Sequence, residues 1–464
     1  VVGEKHVLIS DEARLHYEED ATAQYKGRSL AVVRPASTEE VSAVVKLAHA
    51  AQIPIVPISG NTGLSGGAWP GSEGDQILLS LERMNQIREI KPDARVMIAE
   101  AGVILDNLHQ AADKHDLIFP LTFGARGSCM LGGNLSTNAG GSNVVRYGNT
   151  RELCLGLEVV LADGQVMNLL SELRKDNTGY DLKDLFIGAE GTLGIITAAV
   201  MKLYPKPKAY ATAMVATDSL TSALALLGRL QAATGGAVEV FEYMPQAYVE
   251  AHMQAKQARA PFEEMHAVNI LVEVGATAER DAAEQADGRA MISHTLEDTL
   301  GALLEDGAVV DAVVAQNEAQ RREMWERREA AAEVIFGQAP IINNDIAVPV
   351  DQVEAFITMA DERIKEADAE AYSLIVAHLG DGNVHYAVKA PNYSAEVKAQ
   401  TVEIVEDCVL AHGGSFSAEH GIGTYKLPSM QRRKNAAAVS TMRAIKAALD
   451  PNNIMNPGKV IPPE

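Results

Sequence analysis

The stretch 373–390, SLIVAHLGDGNVHYAVKA, constrains the fold more than any other in the chain. An apolar run stands on each side of an Asp-Gly pair, the pattern of a β-hairpin with a two-residue type I′ turn. With Asp381 and Gly382 as the turn, Gly380 faces Asn383, Leu379 faces Val384 and His378 faces His385. Strand side chains alternate between faces, so Ile375, Ala377, Leu379, Val384, Tyr386 and Val388 form one apolar face and the two histidines share the other. Directly opposed residues have Cβ atoms about 4.5–5.5 Å apart, close enough for two imidazoles to share a metal ion. Such a pair needs a third ligand from elsewhere.

A chain of 464 residues can bury at least two cores. It has no apolar run long enough to span a membrane, and a net charge of −22 disfavours nucleic acid as a partner. Cys129, Cys154 and Cys408 are far apart and form no CxxC pattern, and the N-terminus lacks a signal-peptide shape, so a reducing cytoplasm is expected.

Ser37-Thr38-Glu39-Glu40 has the form of a capping box, and Val41, Val44, Val45, Ala48 and Ala51 follow at helical spacing. The β-branched run 53–59 then breaks into GNTGLSGGA at 60–68. Glycines let backbone N–H groups approach an anion, although neither the dinucleotide nor the P-loop spacing is present. The second cluster, 121–150, is dense in glycine and short polar residues, which suits it to wrapping an extended polar ligand rather than forming a core. A hairpin is expected around Asp163-Gly164, and 187–203 reads as a third glycine turn feeding a strand. Tyr204-Pro205-Lys206-Pro207 looks like a domain boundary.

Beyond it, strands alternate with helices expected at 219–233 and 278–305, which suggests an α+β domain with an antiparallel sheet and helices on one face. The charged helix 316–334 contains Arg328; such a helix is ordinarily a solvated face. Further helices are expected at 350–366, 396–411 and 436–449. In SFSAEHGIGTYK, Glu419 and His420 sit beside glycines with no apolar periodicity to make them core.

Two imidazoles and a carboxylate match an open zinc or manganese site. Asp381 is a fourth candidate, but a turn residue already has a structural role. An open metal binds an α-hydroxy acid through hydroxyl and carboxylate oxygens and lowers the hydroxyl pKa, and His420 could then take the proton. Oxidation requires a hydride acceptor, and no side chain is one; a phosphate-bearing redox cofactor on the glycine clusters would supply it. A metal-dependent hydrolase using the same ligands is the competing class, but it leaves the glycine clusters unexplained.

The motifs PISGNTGLSGGA, FPLTFGARGSCMLGGNLSTNAGGSNVVRYGN, GAEGTLGIIT, HLGDGNVH, EHGIG and LDPNNIMNPGKV, in this order over 32–460, resemble the FAD-linked D-2-hydroxy acid dehydrogenases of the vanillyl-alcohol oxidase family. The resemblance is to the D-2-hydroxyglutarate and D-lactate dehydrogenase branch. It implies an α+β fold: a two-part, PCMH-type FAD-binding domain at 1–207, a substrate and metal domain at 208–420 whose antiparallel sheet is covered by helices, and a segment at 421–464 that returns to the FAD domain. Ser59, Gly60, Asn61, Thr62, Gly63, Leu64, Gly66 and Gly67 would hold the pyrophosphate region, and Ser128, Gly132, Gly133, Thr137, Asn138, Gly140, Gly141, Gly194 and Ile196 would line the cofactor. Asn456 would sit near the isoalloxazine. His378, His385 and Glu419 match the family's metal ligands, His420 its catalytic base and Arg328 the arginine that binds a substrate carboxylate.

Asn61 stands where some of the wider family attach FAD through a histidine, so non-covalent FAD is implied. The expected partners are a small anionic 2-hydroxy acid and an external electron acceptor; an oxygen-using oxidase and a homodimer are left open. Hydroxyglutarate enzymes carry a lysine at the position of Asn343 and an asparagine at that of Ala387. Their replacement here removes a cationic partner for a second carboxylate, which leaves D-2-hydroxyglutarate and a monocarboxylate such as D-lactate both open.

Overall fold

The structure, a computed structural model, describes residues 1–20 and 23–463. It divides into two compact units: Val1–Gly140 with Gly148–Pro205 and Glu419–Glu464, and Gly141–Tyr147 with Lys206–Ala418.

The first unit has two main sheets among its described residues. A four-stranded sheet runs Val7–Leu8, Ala31–Val33, Ile77–Ser80, Ile55–Ile58, with the last three strands parallel. A five-stranded antiparallel sheet runs Ile87–Lys91, Val96–Glu100, Ile195–Lys202, Cys154–Val160, Val166–Leu169. Helix Thr38–Ala51 begins where the capping residues predict: Ser37 Oγ accepts the Glu40 N–H at 3.2 Å. Its buried Val41, Val45 and Ala48 pack with Ile55 and Leu79 of one sheet and Val160 and Ile195 of the other, so one helix face joins both layers.

The second unit is built on a seven-stranded sheet in the order Asp311–Val314, Ala209–Thr217, Val268–Ala276, Val238–Pro245, Tyr372–His378, Asn383–Lys389, Ile341–Ala347, antiparallel throughout. Helices cover both faces rather than one. Leu220–Thr234, Met291–Glu305, Val353–Ala367 and Ala395–Ala411 pack on the face carrying Ile270, Val272, Ile375 and Tyr386. Gln246–Lys256, Glu318–Glu329 and Ala331–Phe336 cover the face carrying Leu271, Leu374, Val376 and Ala387. Alternate residues on these strands are apolar on both sides, and each face needs a layer to cover it.

Three expectations are corrected. The helix expected over 278–305 is two, Glu279–Ala282 and Met291–Glu305, parted by a turn in which Gly288 takes φ +82°. The glycine-rich segment, read as forming no core, does contribute buried apolar side chains: Leu131–Thr137, Val144–Tyr147 and Thr150–Leu153 are short helices, and Leu131 and Leu135 are buried one turn apart. The hairpin turn spans four residues rather than two. His378 pairs with Asn383, and His385 pairs with Val376. The His378 carbonyl accepts the N–H groups of both Asp381 (3.2 Å) and Gly382 (3.1 Å), and Asp381 Oδ1 takes the Asn383 N–H at 3.0 Å. Gly382 has φ +83°, and a Cβ there would stand 2.1 Å from the Val348 carbonyl, so the turn is fitted to a distant backbone. The register error is two residues, an even number, so each side chain keeps its predicted face. Among the described residues, no helix is long and apolar enough to cross a membrane.

Candidate active site

On neighbouring strands of the second unit, His378 and His385 sit as diagonal rather than direct partners. Their rings meet edge to face with centroids 5.3 Å apart. Each ring is held from behind by a buried carboxylate that sequence reasoning missed. His378 Nδ1 lies 2.7 Å from Glu242 Oε1, and His385 Nδ1 lies 3.4 Å from Asp345 Oδ1. Glu242 is 0% and Asp345 1% exposed. A carboxylate only accepts, so the 2.7 Å contact puts the His378 proton on Nδ1 and leaves Nε2 with its lone pair. This donor set fits a divalent metal: two imidazoles on one face of the hairpin, each backed by a buried carboxylate.

Glu242 also fixes Arg328. Its Oε2 accepts Arg328 Nε at 2.6 Å, and Arg328 Nη2 lies 3.5 Å from His378 Nε2. Burial alone would raise the Glu242 carboxyl, but the neighbouring Arg328 and His378 outweigh it and bring it down to about 2. One ionised carboxylate thus aims both a ligand nitrogen and a guanidinium. Arg328 lies one turn beyond buried Met324 on its charged helix and is itself partly buried.

Asp381 serves the turn, as its bond to Asn383 N–H shows, and burial raises it to about 6. Asn343 and Ala387 are direct cross-strand partners, two residues along from the pair Asp345 and His385. Period-two alternation puts all four on one face. Glu419 and His420 open the C-terminal segment of the first unit, directly after Ala418, whose N–H donates to the Asp345 carbonyl at 3.3 Å.

In the first unit the glycine segments converge by backbone contact. A Cβ on Gly60 would stand 2.3 Å from the Ser128 carbonyl, and one on Gly133 would stand 3.3 Å from Ser59 Cβ. Gly63 faces open space, and Asn61 turns the loop at φ +51° while its Nδ2 donates to the Glu19 carbonyl at 2.7 Å. Among the described residues Ser59 Oγ is buried without a hydrogen-bond partner, an orphan in a glycine-lined cradle that suits a polar cofactor. Thr62, Leu64, Gly66 and Gly67 continue this loop. Gly132, Gly133 and Thr137 lie on the short helix that Asn138 caps in a left-handed conformation, and Gly140 closes this part of the segment. Asn456 Nδ2 donates to the carbonyls of Gly67 (3.0 Å) and Glu190 (2.7 Å), so the C-terminal segment is tied to the cradle.

Three of the named residues, Gly194, Ile196 and Gly141, lie outside these loop contacts. Gly194 gives up its side chain to Val159 and Phe186 at the start of the strand that contains buried Ile196. Gly141 belongs to the second unit, where the short stretch Gly141–Tyr147 is held by Arg146 Nη1 and Tyr147 Oη on Glu239, at 2.6 and 2.7 Å.

Known proteins resemble the chain over both units. The family described as FAD binding domain matches residues 29–170, and that described as FAD linked oxidases, C-terminal domain, matches 206–460. A Xanthomonas citri pv. viticola protein named D-2-hydroxyglutarate dehydrogenase is 35% identical over 450 residues, covering 96% of this chain and 92% of its own. The mitochondrial D-2-hydroxyglutarate dehydrogenase of Rattus norvegicus is 34% identical over 437 residues, covering 94% and 79%. Among solved structures, p-cresol methylhydroxylase superposes with a TM-score of 0.73 at 18% identity, over 99% of this chain and 94% of that one. The 4-ethylphenol oxidase from Gulosibacter chungangensis superposes with a TM-score of 0.69 at 20% identity, over 100% and 95%. At these identities the solved structures speak for the PCMH-type fold alone. The two family matches and the full-length relatives speak against the hydrolase alternative, and the chain belongs to the family of FAD-linked D-2-hydroxy acid dehydrogenases.

Proposed function

We propose that the protein oxidises a D-2-hydroxy acid to the 2-oxo acid as an FAD-dependent dehydrogenase, with metal-assisted removal of the hydroxyl proton. The observation that carries the site assignment is the Glu242 carboxylate, which orients His378 and Arg328 together. In this reading Arg328 holds the substrate carboxylate by charge-assisted hydrogen bonds. His378, His385 and Glu419 hold a zinc or manganese ion, whose chemistry is Lewis acidity toward the substrate hydroxyl. The family resemblance supports Glu419 as the third ligand. His420 takes the hydroxyl proton as general base.

FAD, held non-covalently by the 59–67 loop, Ser128, the Gly132–Asn138 helix and Asn456, with Gly140, Gly141, Gly194 and Ile196 as further lining, supplies acceptance of the Cα hydride when bound. The relatives are named dehydrogenases, which supports an external electron acceptor, and three buried free cysteines suit a reducing cytoplasm.

The substrate's distal end is the finer question. Asn343 and Ala387 put a neutral amide and a methyl beside the histidine pair, with no cation between them, which favours a monocarboxylate such as D-lactate. The relatives' names favour D-2-hydroxyglutarate. Purified enzyme assayed with an artificial acceptor should show kcat/KM for D-lactate about tenfold or more above that for D-2-hydroxyglutarate, given the strength of one charge-assisted bond. A preference for the dicarboxylate would reverse the assignment.

A further inference from the structure

Glu190 lies in the GAEGTLG turn and holds a left-handed backbone, φ +51°, that a side chain with a Cβ disfavours. It is buried, and both carboxylate oxygens are used on backbone. Oε1 accepts the Ile422 N–H at 2.7 Å and Oε2 the Gly423 N–H at 2.8 Å. Ile422 and Gly423 are two and three residues beyond His420.

The same residue reaches in three further directions. Its N–H donates to the Ser136 carbonyl at 2.8 Å, its carbonyl accepts Asn456 Nδ2 at 2.7 Å, and a Cβ on Gly67 would stand 3.2 Å from Oε2. Gly421 is glycine for a related reason: it has φ +72°, and a Cβ there would be 2.7 Å from Glu190 Oε1. Ser65 completes the grip, its carbonyl accepting the N–H groups of Thr424 (3.0 Å) and Tyr425 (3.1 Å) and its hydroxyl donating to the Gly421 carbonyl at 3.3 Å. Two parallel N–H donors facing two oxygens require a carboxylate, because an amide side chain accepts at only one of its two ends.

We propose that Glu190 is a positioning residue: its carboxylate sets the path of 421–423 and thereby the orientation of His420 against the cradle, acting on proton removal and not on cofactor retention. This rests on the reading of His420 as the base. The proposal goes beyond that reading in naming what holds the base in place.

The test is Glu190→Gln in the full-length, FAD-loaded enzyme, with His420→Gln measured in parallel, using D-lactate and D-2-hydroxyglutarate with an artificial acceptor. Glu190→Gln should keep the parent FAD-to-protein ratio and a KM within about threefold, while kcat falls about 10- to 100-fold, the scale of one lost hydrogen bond to a charged group. A kcat within threefold of the parent overturns the proposal, as does a fall that only tracks loss of bound FAD. Gly421→Ala disturbs the same contact from the other side and should show the same split between kcat and KM. If neither variant can be purified with FAD, Glu190 belongs to the cradle and the proposal is overturned. If His420→Gln retains parent kcat, the reading of His420 has failed instead, whatever Glu190→Gln does.

Discussion

The histidine hairpin of the second unit and the glycine cradle of the first are shaped by opposite parts of the chain. At the hairpin the candidate ligand atoms are side-chain nitrogens, each ring backed by a carboxylate from a different strand, Glu242 behind His378 and Asp345 behind His385. At the cradle the shaping is by backbone: Gly60 passes so close to Ser128 that any side chain would strike its carbonyl. Substitution should therefore fail differently in the two places. A hairpin variant loses chemistry and keeps cofactor, and a cradle variant loses cofactor first.

The largest effect is expected at the hairpin. His385→Ala should keep FAD but lose bound metal and at least about 10³-fold in kcat, since it removes a ligand outright; metal analysis and turnover check it. Glu242→Gln leaves both ligands and should instead lower metal affinity by about 10- to 100-fold while raising KM through the loosened Arg328. Equal damage from the two would blur the line drawn between ligand and brace. In the cradle, Gly60→Ala should lower FAD affinity by about 10-fold or more, because a Cβ 2.3 Å from the Ser128 carbonyl forces the backbone to move. Metal binding in this variant should be unchanged, and loss of metal would break the comparison.

The smallest effect separates neither site but tests burial in the second unit. Desolvation lowers the pKa of buried His252 to about 4, and its Nδ1 has no hydrogen-bond partner among the described residues. Between about pH 6.5 and 4 the unfolded chain binds the extra proton, so stability falls as pH falls through that window. Denaturant titrations of His252→Gln should show this acid loss reduced by about 1 kcal/mol or more. An unchanged slope would mean that His252 is not the group responsible.

The hairpin shows what was legible in the sequence and why. Period two placed both histidines on one face, and that survived because the register error was even. The error itself came from Gly382, whose conformation serves a contact with Val348 that no local pattern encodes. Glu242 lay in view within AVEVFEYM, an acid in a run that reads as core, which is a mark of a paired buried charge. Its partner was more than a hundred residues away. Glycine density pointed to the cradle, yet it hid the helix that Leu131 and Leu135 form at i, i+4. Glu190 sat inside a glycine motif read for its glycines alone. What local patterning could not supply in each case was a long-range hydrogen bond.

The central claim is that the protein oxidises a D-2-hydroxy acid with bound FAD and needs the braced histidines to do so. It is tested most directly by adding D- and L-2-hydroxy acids to the purified enzyme under anaerobic conditions and following its visible flavin absorbance. The account predicts a preparation that carries flavin, bleached by at least one D-2-hydroxy acid and not by its L enantiomer, with bleaching slowed at least about 10³-fold in His385→Ala. A preparation without flavin absorbance, or one that no D-2-hydroxy acid bleaches, would contradict it.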